Sequence, residues 1–205
     1  MGMSAAKVAI VIPSIPSRGA YLAEAIGSVH RQTHPVSDLI IAFDHDKEGA
    51  SATRNRGVRA ALAAEPDWIG YLDDDDFFLA HHVEHLLQCA QEHDAGLVWS
   101  WMQVLGGTVP WPEYQGKPYN PDAPHVVAIP YLVRADLLRA AFDAQVGFRD
   151  DDTGSWLVQD EAVFSWIARH TNTYASPEVS WVWRHWGTGS PTQPGNSSGL
   201  ASRRP

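Results

Sequence analysis

Four consecutive carboxylates, Asp73 to Asp76, stand between apolar and aromatic residues in the stretch WIGYLDDDDFF. Several aspartates at the mouth of a buried strand repel one another, and burial raises that cost. A divalent cation relieves it. Mg²⁺ or Mn²⁺ takes hard oxygen ligands from one or two carboxylates and keeps its other positions for water and phosphate. Such a site suits the grip of a diphosphate and the stabilisation of charge on a departing one. The competing reading is a solvated acidic turn, for which four aspartates between YL and FF are more than is needed. A second acidic stretch, DHDKEG from Asp44 to Gly49, starts like a calcium-binding loop, but its twelfth position is Asn55 where a bidentate Glu is required. His81, His82 and His85 invite a zinc reading. With no third ligand or catalytic Glu at the necessary spacing, a solvated helix face is the expectation.

The elements that must position the acidic run are legible from apolar periodicity. KVAIVIPSI (7–15) is β-branched and continuous, as in a strand buried on both faces of a parallel sheet. Ser17 is in place to cap a helix whose Leu22, Ala25, Ile26 and Val29 share a face. DLIIAF (38–43) and WIGYL (68–72) read as further strands, with helices around 50–64 and 80–93. The order β-α-β-α-β-α calls for a mainly parallel, Rossmann-type sheet flanked by helices. Ligands then bind at the carboxyl ends of the strands, where Pro13 to Ile15, Asp44 to Gly49 and Asp73 to Asp76 converge.

The second half is less regular. LVWSWMQVL (97–105) reads as a strand, and the Pro- and Gly-rich segment after it as a lid or binding loop. Helices are expected around 134–142 and 159–170, and a strand over 178–184. A single domain over 1–190 follows, split into halves 7–95 and 96–190. The Gly/Pro/Ser-rich residues 191–205 are expected to form a flexible tail. Nine tryptophans are concentrated in the second half. Trp99/Trp101 and Trp181/Trp183 alternate as core residues of strands do, and Trp111 in the Pro-rich loop is the candidate for contact with a flat ligand face.

Composition narrows the partners. Of 205 residues 44% are apolar and 19% charged, an ordinary globular mix, and the formal charge is −9. That charge makes nucleic acid an unlikely partner, since a general grip on it needs surplus Lys and Arg. Cys89 is the lone cysteine, which fits a reducing cytoplasm, and no membrane span is evident.

VAIVIPSIPSR, Asp44 after a strand, GASATRNRG and WIGYLDDDDFF, in that order, resemble the nucleotide-sugar-binding half of the family-2 glycosyltransferases. The likeness is good over 7–90 and looser to about 186. It implies a GT-A fold and transfer of a sugar, with inversion, from a UDP- or GDP-linked donor in the presence of Mn²⁺ or Mg²⁺. It implies Asp75 as the metal ligand, with Asp73 or Asp74 reaching the ribose or a metal-bound water. Asp44 would hydrogen-bond the base, Arg54 and Asn55 would line the nucleotide pocket, and Pro13 and Ser14 would touch the nucleotide through the backbone. For Arg56 a surface helix charge is the better reading. VQDEAVF resembles the family motif that opens a helix with the general base. Asp160 is that candidate and Glu161 the alternative, although acids at a helix start are also favoured by the macrodipole. His185 falls where a third metal ligand, a phosphate contact or a packed aromatic neighbour is equally in keeping. The acceptor is left open among glycan, protein and lipid-linked groups, as is the oligomeric state. Two other classes stand beside this reading. One is a binding module of the same fold without turnover. The other is a nucleotidyltransferase, disfavoured because PSIPSRG lacks a Gly-rich basic loop.

Overall fold

The structure, a computed structural model, describes residues 5–109, 111–123, 130–149 and 156–184. Strand β1 (Val8–Ser14) has six of its seven residues buried, as its unbroken apolar run demands. It lies between β2 (Asp38–Phe43) and β3 (Trp68–Tyr71), parallel to both. All three strands therefore end on one rim, and the three loops expected to converge do so. Helix α1 (Gly19–His30) follows β1 after a short 3₁₀ turn, Pro16–Arg18. Ser17 is not its cap. Arg18 takes the cap position and makes no side-chain capping bond, because a guanidinium offers only donors where the helix start needs an acceptor.

The sheet has seven strands in the order β2-β1-β3-β6-β5-β7-β4. It is parallel within the first half and mixed in the second. β6 (Tyr131–Arg134) runs antiparallel to both β3 and β5 (Ala95–Leu105). β7 (Asn172–Arg184) then pairs parallel with β5, with register shifts, and the two-residue β4 (Phe77–Phe78) closes the edge antiparallel to β7. The architecture is the expected α/β sheet flanked by helices, mixed and not wholly parallel. Trp99, Trp101 and Trp181 are core residues, as their alternation implies, and Trp183 packs partly buried against them.

Helices α2 (Ala50–Ala63), α3 (His82–Glu92), α4 (Ala135–Asp143) and α5 (Trp156–Ala168) complete the fold. The histidines on α3 do not form a solvated face. His82 is buried, stacked on Phe78 at 4.1 Å, and hydrogen-bonded through Nδ1 to Ser180 Oγ at 2.7 Å. Burial pushes its pKa down to about 3, so it is neutral. His81 and His85 both face the Glu178 carboxylate. Among the described residues no helix is long and apolar enough to cross a membrane.

Helix α2 reaches β1 at Gly57. A Cβ there would stand 2.5 Å from Val11 Cγ1 and 3.3 Å from Ala42 Cβ, inside the packed core. Helix propensity alone favours Ala over Gly by about 1 kcal/mol. Overpacking costs about 1–3 kcal/mol. Gly57→Ala is therefore expected to lower stability in urea unfolding. A variant as stable as the parent would mean that the helix moves off the strand freely.

Candidate active site

The four aspartates leave β3 in a tight turn, and each has a different environment. Asp74 is buried with both oxygens taken. Ser14 Oγ donates to Oδ2 at 2.7 Å and Arg18 Nη1 to Oδ1 at 2.7 Å. Burial raises its pKa, while Arg18 and Ser14 pull the other way. Asp76 is also buried and accepts the Arg184 backbone N–H at 2.8 Å. Burial first, then the charges of Asp75 and Asp73, push its pKa well above the ordinary carboxylate range. Asp73 and Asp75 keep more contact with solvent, their side chains being 25% and 13% exposed. The open pair is thus i and i+2, and the closed pair holds the turn to β1 and β7.

Two arginines from different connections supply the counter-charge. Arg18 Nη1 also reaches Asp75 Oδ2 at 3.3 Å. Arg54, buried on the first turns of α2, places Nη2 3.0 Å from Asp73 Oδ1 and Nη1 3.7 Å from Asp160 Oδ1. Burial works against the Arg54 charge, yet Asp73 and Asp160 outweigh it and raise its pKa. Asp160, expected at a helix start, lies within α5 and beside this ion pair. Its Oδ1 is shut off from solvent and has no hydrogen-bond partner. Burial raises its pKa, Arg54 lowers it and Asp73 raises it further. A carboxylate so placed has a lone pair unused by the protein.

The remaining sequence candidates fall around this centre in different ways. Asp44 directly follows β2 and folds its own loop back, accepting Glu48 N–H at 2.8 Å on Oδ1 and Gly49 N–H at 3.0 Å on Oδ2. Arg56 pairs with Glu48 on the surface and donates to the Phe43 carbonyl, which stiffens the same loop. Asn55 faces away from the acidic run. Its Nδ2 donates to Phe148 O at 2.8 Å and its Oδ1 accepts Phe148 N–H at 2.9 Å. It also borders a cavity of about 260 Å³ with Arg59, Phe142, Val146 and Arg149. Pro13 pairs with Ala42 in the sheet, and Ser14 acts through its hydroxyl on Asp74. Glu161 is next to Asp160 on α5, half-buried. Trp111 is half-buried at the head of a 3₁₀ turn with φ of 52°. His185 lies outside the described residues, and the Arg184 amide before it is tied to Asp76.

Residue types at this rim suit a hard divalent cation. Asp73 and Asp75 offer carboxylate oxygens at the open side of the turn. Among the described residues no group of three or more His, Cys, Asp or Glu is arranged to hold a metal. Mg²⁺ or Mn²⁺ carried largely by phosphate and water needs only one or two carboxylates, so the two aspartates fit. Arg18, the one basic residue of PSIPSRG, is not among the residues expected at this site from sequence. The signal was its place directly after a strand end, facing an acidic run of four.

Residues 43–133 match the profile described as Glycosyl transferase family 2. No curated protein matches the chain. Solved structures show the same fold at low identity. S. aureus TarS residues 1–349 in complex with UDP-GlcNAc superpose with TM-score 0.68 at 15% identity, over 89% of this chain and 59% of that one. The longer S. aureus TarS structure gives 0.67 at 14%, over 87% and 37%. A mannosyltransferase from Pyrobaculum calidifontis in complex with GDP-Man and Mn²⁺ gives 0.63 at 14%, over 88% and 57%. The chain thus spans less than two thirds of the length of each.

Removing one partner of a buried ion pair typically costs about 3–5 kcal/mol, because the other charge is left unanswered. Arg54→Met leaves Asp73 and Asp160 facing each other. It is expected to destabilise the fold by about that much in urea titration. Adding Asp160→Asn should recover part of the loss. Full additivity of the two losses would mean that Arg54 and Asp160 do not interact.

Proposed function

With residues 43–133 those of glycosyl transferase family 2, we propose that the chain is a metal-dependent, inverting glycosyltransferase acting on a nucleoside-diphosphate sugar. Arg54 carries the reading: one guanidinium touches Asp73 at the strand-end rim and Asp160 on α5. A donor-side carboxylate and an unspent basic carboxylate are thereby held within one small site. Residues 7–95 form the donor half and 96–190 the acceptor half of a single domain.

Division of the acidic run supports distinct roles. With Asp74 and Asp76 buried, the more open pair is assigned, Asp75 to the cation and Asp73 to the ribose or a metal-bound water. Asp44 presents its carboxylate to the nucleotide base from a loop its own hydrogen bonds have already closed. A carboxylate oxygen has lone pairs beyond those accepting Glu48 and Gly49 N–H, so a base N–H can still be accepted. Arg54 and the first loop, Pro13 and Ser14, shape the floor. Asn55 acts indirectly by fixing Phe148. His185 is a candidate contact to the diphosphate or the cation. Donors carrying UDP or GDP are both in keeping with the neighbouring structures, which hold UDP-GlcNAc and GDP-Man. The acceptor is a hydroxyl on a glycan, protein or lipid-linked group.

In the reaction, the acceptor oxygen attacks the anomeric carbon from the face opposite the diphosphate. Its proton passes to Asp160, and the bond between anomeric carbon and phosphate oxygen breaks with its electron pair leaving on the nucleoside diphosphate. A bound Mn²⁺ or Mg²⁺ supplies Lewis-acid stabilisation of that leaving group. Asp160 is suited to the base role because its Oδ1 is desolvated and accepts no hydrogen bond, while Arg54 Nη1 at 3.7 Å opposes its protonation.

General-base assistance contributes about 10²- to 10⁴-fold. Asp160→Asn is therefore expected to lower kcat by that range while calorimetry finds donor binding kept. Transfer at the parent rate would remove Asp160 from the mechanism. A raised Asp160 pKa means the base is protonated below it. The acid limb of kcat/KM should thus lie above the ordinary aspartate range and be absent from the residual activity of Asp160→Asn.

Asp75→Ala should abolish Mn²⁺-dependent donor binding in calorimetry while the far-UV spectrum stays native. Binding as tight as the parent's would move the cation elsewhere.

A further inference from the structure

The side chain resting on the proposed cation ligand is itself a cation. Arg18 Nη1 lies 2.7 Å from Asp74 Oδ1 and 3.3 Å from Asp75 Oδ2, with its side chain only 16% exposed. Asp74 is locked by Ser14 on its other oxygen, so Arg18 is anchored there whatever happens at Asp75. Its position comes from the short turn Pro16–Arg18, which sets the guanidinium against the acidic run and leaves the start of α1 without a side-chain cap.

Resting on the reading of the site given above, we infer that Arg18 couples cation binding to donor binding. Asp75 already has a positive neighbour when no donor is present. A divalent ion arriving alone meets an aspartate whose charge is partly answered, and it is repelled by the guanidinium. Arg18 cannot retreat far, because Asp74 holds it. A nucleoside diphosphate brings about two or more negative charges to the same rim. Those charges let Arg18 and the divalent ion occupy the site together. The cation therefore enters with the donor and leaves with the product diphosphate, and the empty site discriminates against free metal. Arg54 does not share this role, since its partners are Asp73 and Asp160.

Linkage makes the claim quantitative: the factor by which nucleotide tightens Mn²⁺ binding equals the factor by which Mn²⁺ tightens nucleotide binding. The test is Mn²⁺ binding to the full chain, read by electron paramagnetic resonance of free Mn²⁺, with and without UDP or GDP. The parent should bind Mn²⁺ weakly alone and at least about tenfold more tightly with the nucleotide it prefers. Arg18→Gln, with thermal melting as a check on folding, should bind Mn²⁺ alone about tenfold or more tightly than the parent. Its coupling factor should shrink accordingly. Arg18→Lys keeps the charge and should stay close to the parent. Unchanged or weaker Mn²⁺ binding by folded Arg18→Gln overturns the inference while leaving the metal reading standing. If Arg18→Gln does not fold, Arg18→Lys decides: loss of coupling there overturns the charge-based account. Failure of every protein to bind Mn²⁺, with nucleotide or without, overturns the metal reading and this inference together.

Discussion

A carboxylate at the end of a buried strand is tolerable only if something answers its charge. Two unit charges 4 Å apart interact by about 4 kcal/mol at the effective dielectric of a protein surface. Four aspartates in succession therefore form a site that the rest of the chain must be built around. Arg18 arrives from the connection after β1, Arg54 from the start of α2, and the Arg184 amide from the end of β7. Each contact fixes a different loop to the rim. The same charges that make the site useful for a cation thus determine which backbone segments surround it.

This constraint explains why the run is four residues long when two carboxylates suffice for a cation. Asp74 and Asp76 are turned inward and used as anchors, one for the first loop and one for the last strand. Asp73 and Asp75 alternate with them and face the open side. An acidic turn with only Asp73 and Asp75 would lack the ties that hold Ser14, Arg18 and Arg184 in place. The anchors carry a cost, visible in the raised pKa of both, and burial is the first cause in each case.

The first half was legible because its strands are apolar runs that alternate with helices and end in polar loops. The expected strands over 38–43 and 68–72 appear as β2 and β3, and their loops meet as predicted. Legibility failed where an element is short or where a residue's partner decides its role. β6 has four residues and follows an irregular segment, so no periodicity marks it. β4, with two, carries none at all. Arg54 and Asn55 are neighbours in TRN, yet one turns to Asp73 and the other to Phe148, 93 residues away. His82 reads as polar beside His81, but its ring lies on the buried side of α3 against Phe78. Sequence supplies the type of each side chain, whereas its charge partner comes from packing between distant segments.

The separation between the acidic rim and Asp160 is set by that packing and not by a loop. β6 lies next to β3, which brings Tyr131 against Tyr71 with ring centroids 4.6 Å apart. Phe164 of α5 packs edge-on to Tyr131 at 4.4 Å, and Phe148 edge-on to Tyr71 at 5.5 Å. Tyr71 is the last residue of β3, two before Asp73, and Phe164 is one helical turn after Asp160. The aromatic column therefore joins the acidic run to α5 through rigid, fully buried contacts. Aromatic contacts of this kind contribute about 0.5–1.5 kcal/mol each beyond burial and restrict relative movement. Asp160 is held near Arg54 by a chain of rings that starts at the strand carrying the aspartates. The antiparallel joint at β6 is the topological device that makes this possible, since it inserts a strand from the second half of the chain directly beside β3.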